Sequence, residues 1–134
     1  MRLLLDTHIF LWFISGDKRM SYALEEVIRS PDNEVYLSVV SLWEVVVKYR
    51  LGKLPLPQSP ESYLPVQRER HMITSLPLDE ASVRQLSKLA PLHRDPFDRM
   101  LVCQALEHDM IIVTLDDAIR AYPVRSLRYD REKR

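Results

Sequence analysis

The sequence predicts an α/β protein: a mainly parallel central sheet flanked by helices, an α/β/α sandwich. Three observations lead there. Short apolar runs of strand length alternate with amphipathic segments of helix length from one end of the chain to the other. Several runs pass almost directly into a helical segment, placing strand ends and helix starts at one edge. The 134 residues, 46% hydrophobic and 28% charged, suit one domain large enough to bury a real core.

Taken in order, "RLLL" at 2–5 is the first strand and ends at Asp6, with Thr7 capping the helix "HIFLWFIS". "SYALEEVIRS" reads as a second amphipathic helix, closed by Pro31. "EVYLSVV" is strand-like, and Ser38 or Ser41 caps the helix "LWEVVVKYRLGK", which stops near Gly52 and Pro55. The proline-punctuated stretch 55–65 reads as a loop into a helix through "YLPVQRER". "MITSLPL" is a strand or extended edge, and "DEASVRQLSKLA" a helix with an acidic start. The helix 96–109 follows, with Asp95 at its N-cap and Pro96 at its first position. Then come the strand "MIIVTL", a short helix "DAIRAY" and a last strand around "VRSL". The domain is expected to span 1–127, with a charged tail at 128–134 that should fray.

Composition excludes several classes. With two glycines, neither GxGxxG nor GxxxxGK[ST] occurs. The single Cys103 rules out an internal disulfide, cannot by itself build a zinc site, and suits a reducing compartment, so a cytoplasmic location is expected. No apolar run approaches the roughly 20 residues that span a bilayer. The opening "MRLLLDTHIFLWF" is interrupted by Asp6 and followed by no small-residue cleavage site, so it reads as the first strand and helix. The net charge of +0 argues neither for nor against a nucleic-acid partner. His8, His71, His93 and His108 show no ligand spacing and read as surface or satisfied residues. No nucleophile elbow accompanies a Ser/His/Asp set. Trp12, Trp43, Tyr22 and Tyr49 read as core or interface aromatics.

The acids carry the chemistry. Asp6 ends the first strand, Asp116 ends "MIIVTL", Glu44 lies in the first turn after "EVYLS", and Asp98 lies in the first turn of the helix that precedes a strand. In an open α/β sheet all four converge at the carboxyl edge, where ligands bind. Asp98 also shares its azimuth with Leu101, Val102 and Ala105, the face that should be buried. Two carboxylates about 6 Å apart at an effective dielectric of 20 repel by roughly 3 kcal/mol, so four together require protonation or a cation. Oxygen ligands without a Cys or His cluster suit a hard cation such as Mg²⁺ or Mn²⁺.

Each acid also has an ordinary structural role available. Asp6 can simply end a strand and cap a helix, Asp116 can be an N-cap, and Asp117 a first-turn acid. Glu44 stands four residues before Lys48, the favourable order for a helical ion pair, and with Ser41 they form a polar stripe on an apolar helix. Asp98 can enter a capping-box-like exchange with Asp95. Arg94 and Arg99 read equally as phosphate contacts or solvated charge. The combination, more than any one position, points to a metal.

Four blocks, "LLLDTHIFLW", "SLWEVVVKYRLGKL", "LHRDPFDRMLVCQA" and "IIVTLDDAIRAYPV", resemble the signature blocks of PIN-domain proteins, in the subgroup of VapC-type toxins, over residues 1 to about 127. The resemblance implies a PIN-like fold and a Mg²⁺- or Mn²⁺-dependent endoribonuclease that cleaves RNA with a metal-activated water and is held inactive by a cognate antitoxin. It places the family's four acids on Asp6, Glu44, Asp98 and Asp116, with Asp117 competing for the fourth, and Thr7 and Thr114 in supporting roles. It also implies a homodimer, with Phe10, Trp12 and Phe13 supplying apolar surface, and a hetero-oligomer with the antitoxin.

Two other readings remain. One is a catalytically inactive PIN-like module that binds RNA or protein. The other is a phosphatase built on the strand-end Asp6, which needs a second aspartate where His8 stands.

Overall fold

The computed structural model describes residues 1–128; most of the expected charged tail lies outside the described residues. Five strands, β1 (Arg2–Leu5), β2 (Glu34–Ser38), β3 (Thr74–Leu76), β4 (Ile111–Val113) and β5 (Ser126–Leu127), form one sheet in the order β3-β2-β1-β4-β5. Every pairing is parallel. The α/β sandwich expected from the sequence is therefore present.

Burial explains why "RLLL" is a strand and not a helix start. Leu3, Leu4 and Leu5 are all fully buried, as expected of a parallel strand covered on both faces. Leu3 and Leu5 join Val35, Leu37 and Val113 in one core, while Leu4 joins Ile112 in the other, the period-2 alternation of a strand. On the first face lie α1 (Thr7–Ser15), α2 (Tyr22–Arg29) and α4 (Pro60–Arg70), through Ile9, Phe10, Leu24 and Leu64. The second face is covered by α6 (Pro96–Glu107) and α7 (Asp117–Arg120), through Leu101, Val102, Ala105 and Ile119. Helix α3 (Val39–Arg50) serves both, giving Val45 to the first core and Val40 to the second.

Several boundaries depart from the sequence reading. Asp6, in extended backbone (φ −69, ψ 158), caps α1 in place of Thr7, which becomes the first helical residue. Of Ser38 and Ser41, Ser38 is the cap of α3. Helix α4 starts at Pro60, inside the expected loop, because proline fits a first turn; Pro65 sits farther inside and forgoes one backbone bond. The expected helix 79–90 divides into α5 (Glu80–Arg84) and a 3₁₀ turn (Gln85–Lys88), then becomes extended at Leu89, which packs against the second core. Tertiary packing there outweighs helix propensity. The expected apolar surface on α1 is also corrected: Phe10 and Phe13 lie in the chain's own core, and Trp12 is half-buried beneath the Arg19 guanidinium, 4.4 Å from its ring centre. Among the described residues no helix is long and apolar enough to cross a membrane.

The connectivity positions the site. From β1 the chain builds outward through β2 and β3, then returns to lay β4 and β5 on the other side of β1. Strand order thus reverses between β1 and β4, and the crevice at their carboxyl ends is the natural ligand position.

Candidate metal centre at the carboxyl edge of the sheet

Asp6 leaves β1 directly into that crevice and is 5% exposed. Its Oδ1 accepts the N–H groups of His8 (2.8 Å) and Ile9 (3.2 Å), and its Oδ2 accepts the Thr114 hydroxyl at 2.5 Å. Thr114 follows β4, so this bond ties the two strand ends of the switch point together. Burial raises the pKa of Asp6, with the three hydrogen bonds and His8 acting against it.

Freed from capping, Thr7 turns its hydroxyl to Glu44 Oε1 at 2.7 Å and lies 2.9 Å from Ser41 Oγ. A hydroxyl has one hydrogen, so with Thr7 donating to the carboxylate, Ser41 donates to Thr7. Glu44, 1% exposed, also accepts from the Lys48 ammonium in a close ion pair. The helical ion pair weighed from spacing is therefore formed, and in the same place as the acid cluster. Lys48 Nζ also lies 3.8 Å from Asp95. Burial lowers the Lys48 pKa, but Glu44, Asp95 and Asp98 outweigh it and the net shift is upward.

Helix α6 opens as expected, with Asp95 Oδ1 accepting from Phe97 N at 2.8 Å and Pro96 in the first turn. No capping-box exchange with Asp98 occurs; the Asp95 N–H goes instead to His93 Nδ1 at 3.0 Å. Asp98 points inward with its side chain 15% exposed, and its pKa rises to about 7. Burial is the largest cause, followed by the charges of Asp95, Glu44 and Asp6, with His93 opposing. Asp116 caps α7 through Ala118 N (2.8 Å), and its Oδ2 lies 3.0 Å from His93 Nε2. Burial raises its pKa, but the His93 bond and the cap bonds outweigh that and lower it. Asp117 faces elsewhere: it is 84% exposed and pairs with Arg128 at 2.5 Å.

Two overlapping ligand sets result, each with donor atoms within 4.8 Å of one another: His93, Asp98 and Asp116, and Glu44, Asp95 and Asp98. Asp98 belongs to both. Asp6 belongs to neither, but its charge acts on Asp98 and its Thr114 bond holds it at the same edge. The donor set fits a hard divalent cation: it is almost all carboxylate, and the accumulated charge, with Lys48 paired to Glu44, already raises the Asp98 pKa to about 7.

Sequence reasoning missed His93, which was read as a surface or satisfied residue and instead sits between two of the acids with its side chain 14% exposed. Its one sequence signal is its place two residues before an N-cap, within reach of that residue's backbone N–H. Arg99 is half-buried, with its Nε lacking a hydrogen-bond partner, whereas Arg94 is exposed.

Ribonuclease VapC22 of Mycobacterium tuberculosis is 25% identical over 119 residues, covering 89% of this chain and 90% of that protein. Ribonuclease VapC16 of the same organism is 38% identical over 55 residues, an alignment of 41% of this chain and 39% of that one. Among solved structures, VapBC2 from Rickettsia felis bound to a promoter DNA fragment superposes with a TM-score of 0.74 at 17% identity, covering 97% of this chain and 100% of that one. VapBC-5 from Mycobacterium tuberculosis, of the VapBC family of toxin–antitoxin systems, gives 0.60 at 21% identity, covering 96% and 98%. At such identities the superpositions establish the fold. Residues 3–124, from the first strand to the turn before the last, match the PIN domain model, and the chain belongs to the PIN-domain family.

Proposed function

We propose that this chain is a Mg²⁺- or Mn²⁺-dependent endoribonuclease acting as the toxin of a toxin–antitoxin pair. The observation that carries the reading is Asp98, aimed inward beside Asp95 at the start of its own helix and beside Glu44 and Asp6 from two other segments, so that burial and these charges raise its pKa to about 7. The names of two relatives, both ribonucleases VapC, support RNA as substrate. The similarity to VapBC-5, of the VapBC family of toxin–antitoxin systems, supports a cognate antitoxin as partner, and a homodimer and a hetero-oligomer with that antitoxin belong to the same proposal.

Asp6, Glu44, Asp98 and Asp116 would hold the ion or ions. The chemistry supplied when such an ion is bound is polarisation of the phosphodiester and activation of a water nucleophile. The chain's own residues provide rigidity. Thr114 and two backbone N–H groups fix Asp6, and Thr7 with Lys48 fixes Glu44. The caps Asp95 and Asp116 anchor the starts of α6 and α7. Preorganised in this way, the acids need little rearrangement to accept a cation.

The test is cleavage of total cellular RNA by wild type and Asp6→Asn, with Mg²⁺ or with excess EDTA. Cleavage is expected in wild type with metal alone, with Asp6→Asn folded and inactive. Full activity in the mutant or in EDTA sinks the proposal. The inactive binding module is the alternative, and calorimetry separates the two: wild type should take up Mn²⁺ and Asp98→Ala should not. A cytoplasmic location and a small antitoxin gene directly upstream or overlapping belong to the same proposal. Absence of such a gene removes the toxin half and leaves the nuclease half standing.

A further inference from the structure

We propose that His93 is a positioning residue that holds Asp116 by donating from Nε2, with Asp98 alongside, and that it is not itself a metal ligand. The inference rests on the metal-nuclease reading above. Taken by distance alone, His93, Asp98 and Asp116 look like a ligand set of one histidine and two carboxylates. Hydrogen-bond direction decides otherwise.

The histidine is fixed at its backbone and at both ring nitrogens. The N–H groups of Leu92 and His93 both donate to the Tyr122 hydroxyl, at 3.0 and 2.9 Å, and Tyr122 is 3% exposed in the second core. The backbone of the loop before α6 is thus fastened to the segment following α7. Nδ1 then receives the Asp95 N–H at 3.0 Å. A backbone amide can only donate, so Nδ1 presents its lone pair and the ring hydrogen resides on Nε2. That nitrogen faces Asp116 Oδ2 at 3.0 Å and Asp98 Oδ2 at 3.2 Å. A protonated Nε2 has no lone pair for a cation, and turning the ring over would aim carbon at the Asp95 N–H. His93 therefore fastens Asp116, the cap of α7, to the loop before α6, with Asp98 of α6 beside the same nitrogen. It occupies one oxygen of Asp116, orienting the remaining lone pairs as outer partners of metal ligands do.

Two measurements on the full chain test this. The first is ¹⁵N-resolved NMR of the histidine rings, metal-free and then saturated with Mg²⁺. Nε2 of His93 is expected to give a pyrrole-type signal and Nδ1 a pyridine-type signal in both states. A pyridine-type Nε2, or loss of its hydrogen as Mg²⁺ binds, overturns the assignment. The second is Mn²⁺ calorimetry on His93→Gln, whose amide nitrogen reaches the Nε2 position, and His93→Asn, whose amide stops at Nδ1. The Gln variant should stay within about threefold of wild type, and the Asn variant should weaken by about 10–100-fold, the usual loss when such an outer partner is removed. Equal loss in both variants also overturns it. A wild type that takes up no Mn²⁺ removes the nuclease reading; one that binds Mn²⁺ with a pyridine-type Nε2 removes the role of His93 alone.

Discussion

Two polar networks, one buried and one half-buried, meet on α6, and they are built on opposite plans. In one, Ser38 donates to Gln104 Oε1 at 2.5 Å, Gln104 Nε2 donates to the Pro77 carbonyl at 3.2 Å, and Ser38 Oγ accepts from Val40 N at 3.0 Å. All its members are neutral, and the donors and acceptors close on one another. The other contains Asp6, Glu44, Asp95, Asp98 and Asp116, set against the Lys48 ammonium and the His93 ring N–H, and it leaves the Asp98 pKa raised to about 7. The closed network is what a stable fold requires of buried polarity. The open one costs stability and is expected where a charged ligand belongs.

The largest effect expected from that contrast is Asp98→Asn. Removing the shared carboxylate should lower RNA cleavage by about a thousandfold, roughly 4 kcal/mol of transition-state stabilisation. The metal-free protein should unfold no more easily than wild type at pH 8. Single-turnover cleavage assays and urea melts measure the two halves. A variant that cleaves normally would remove Asp98 from the site.

The same residue sets a pH dependence. Its folded pKa of about 7 lies above the ordinary value of 3.8, so between those limits the folded state holds a proton that the unfolded chain has lost. Stability without metal should therefore fall as pH rises from about 4 to about 7, by on the order of 2–4 kcal/mol. Asp6, also shifted upward, acts with the same sign. Asp116, shifted downward, acts oppositely and at lower pH. Urea unfolding in EDTA at pH 5 and pH 8 shows the difference, and Asp98→Asn should flatten it.

Breaking the neutral network should do the reverse. Gln104→Leu removes the amide oxygen and nitrogen at nearly constant volume, leaving Ser38 and the Pro77 carbonyl short of a partner. A loss of about 1–3 kcal/mol in unfolding free energy is expected, with cleavage per folded molecule unchanged. Loss of cleavage in folded Gln104→Leu would join the two networks functionally.

The two networks also differ in how far the sequence exposes them. The acids were legible because strand-end position is a one-dimensional property in a parallel fold: Asp6 follows "LLL" and Asp116 follows "VTL". Asp98 was legible from its azimuth among Leu101, Val102 and Ala105, all of them buried. His93 was not, because its partners Asp116 and Tyr122 lie 23 and 29 residues farther on. Gln104, fully buried among apolar neighbours on α6, was equally silent, since Ser38 reaches it across 66 residues. The error at Thr7 was a single residue with a chemical consequence. Once Asp6 takes the cap, the Thr7 hydroxyl is released to Glu44.

The smallest effect expected is at Asp117, and it isolates position from charge. Asp116 and Asp117 are adjacent and chemically identical, and the sequence left the fourth acid open between them. In the fold Asp116 turns to His93, whereas Asp117 stands 84% exposed against Arg128 and Arg120. An exposed pair of this kind contributes about 0–1 kcal/mol. Asp117→Asn should therefore shift unfolding by less than about 0.5 kcal/mol and leave both Mn²⁺ affinity and cleavage at wild-type levels. Asp116→Asn replaces one oxygen with an amide group at the point where His93 donates, and should weaken Mn²⁺ binding by at least about tenfold. Because the two substitutions remove the same charge within one residue of each other, any general electrostatic effect on RNA association is common to both. The difference between them in calorimetry measures what aiming a carboxylate into the crevice contributes, and equal losses would assign the effect to net charge.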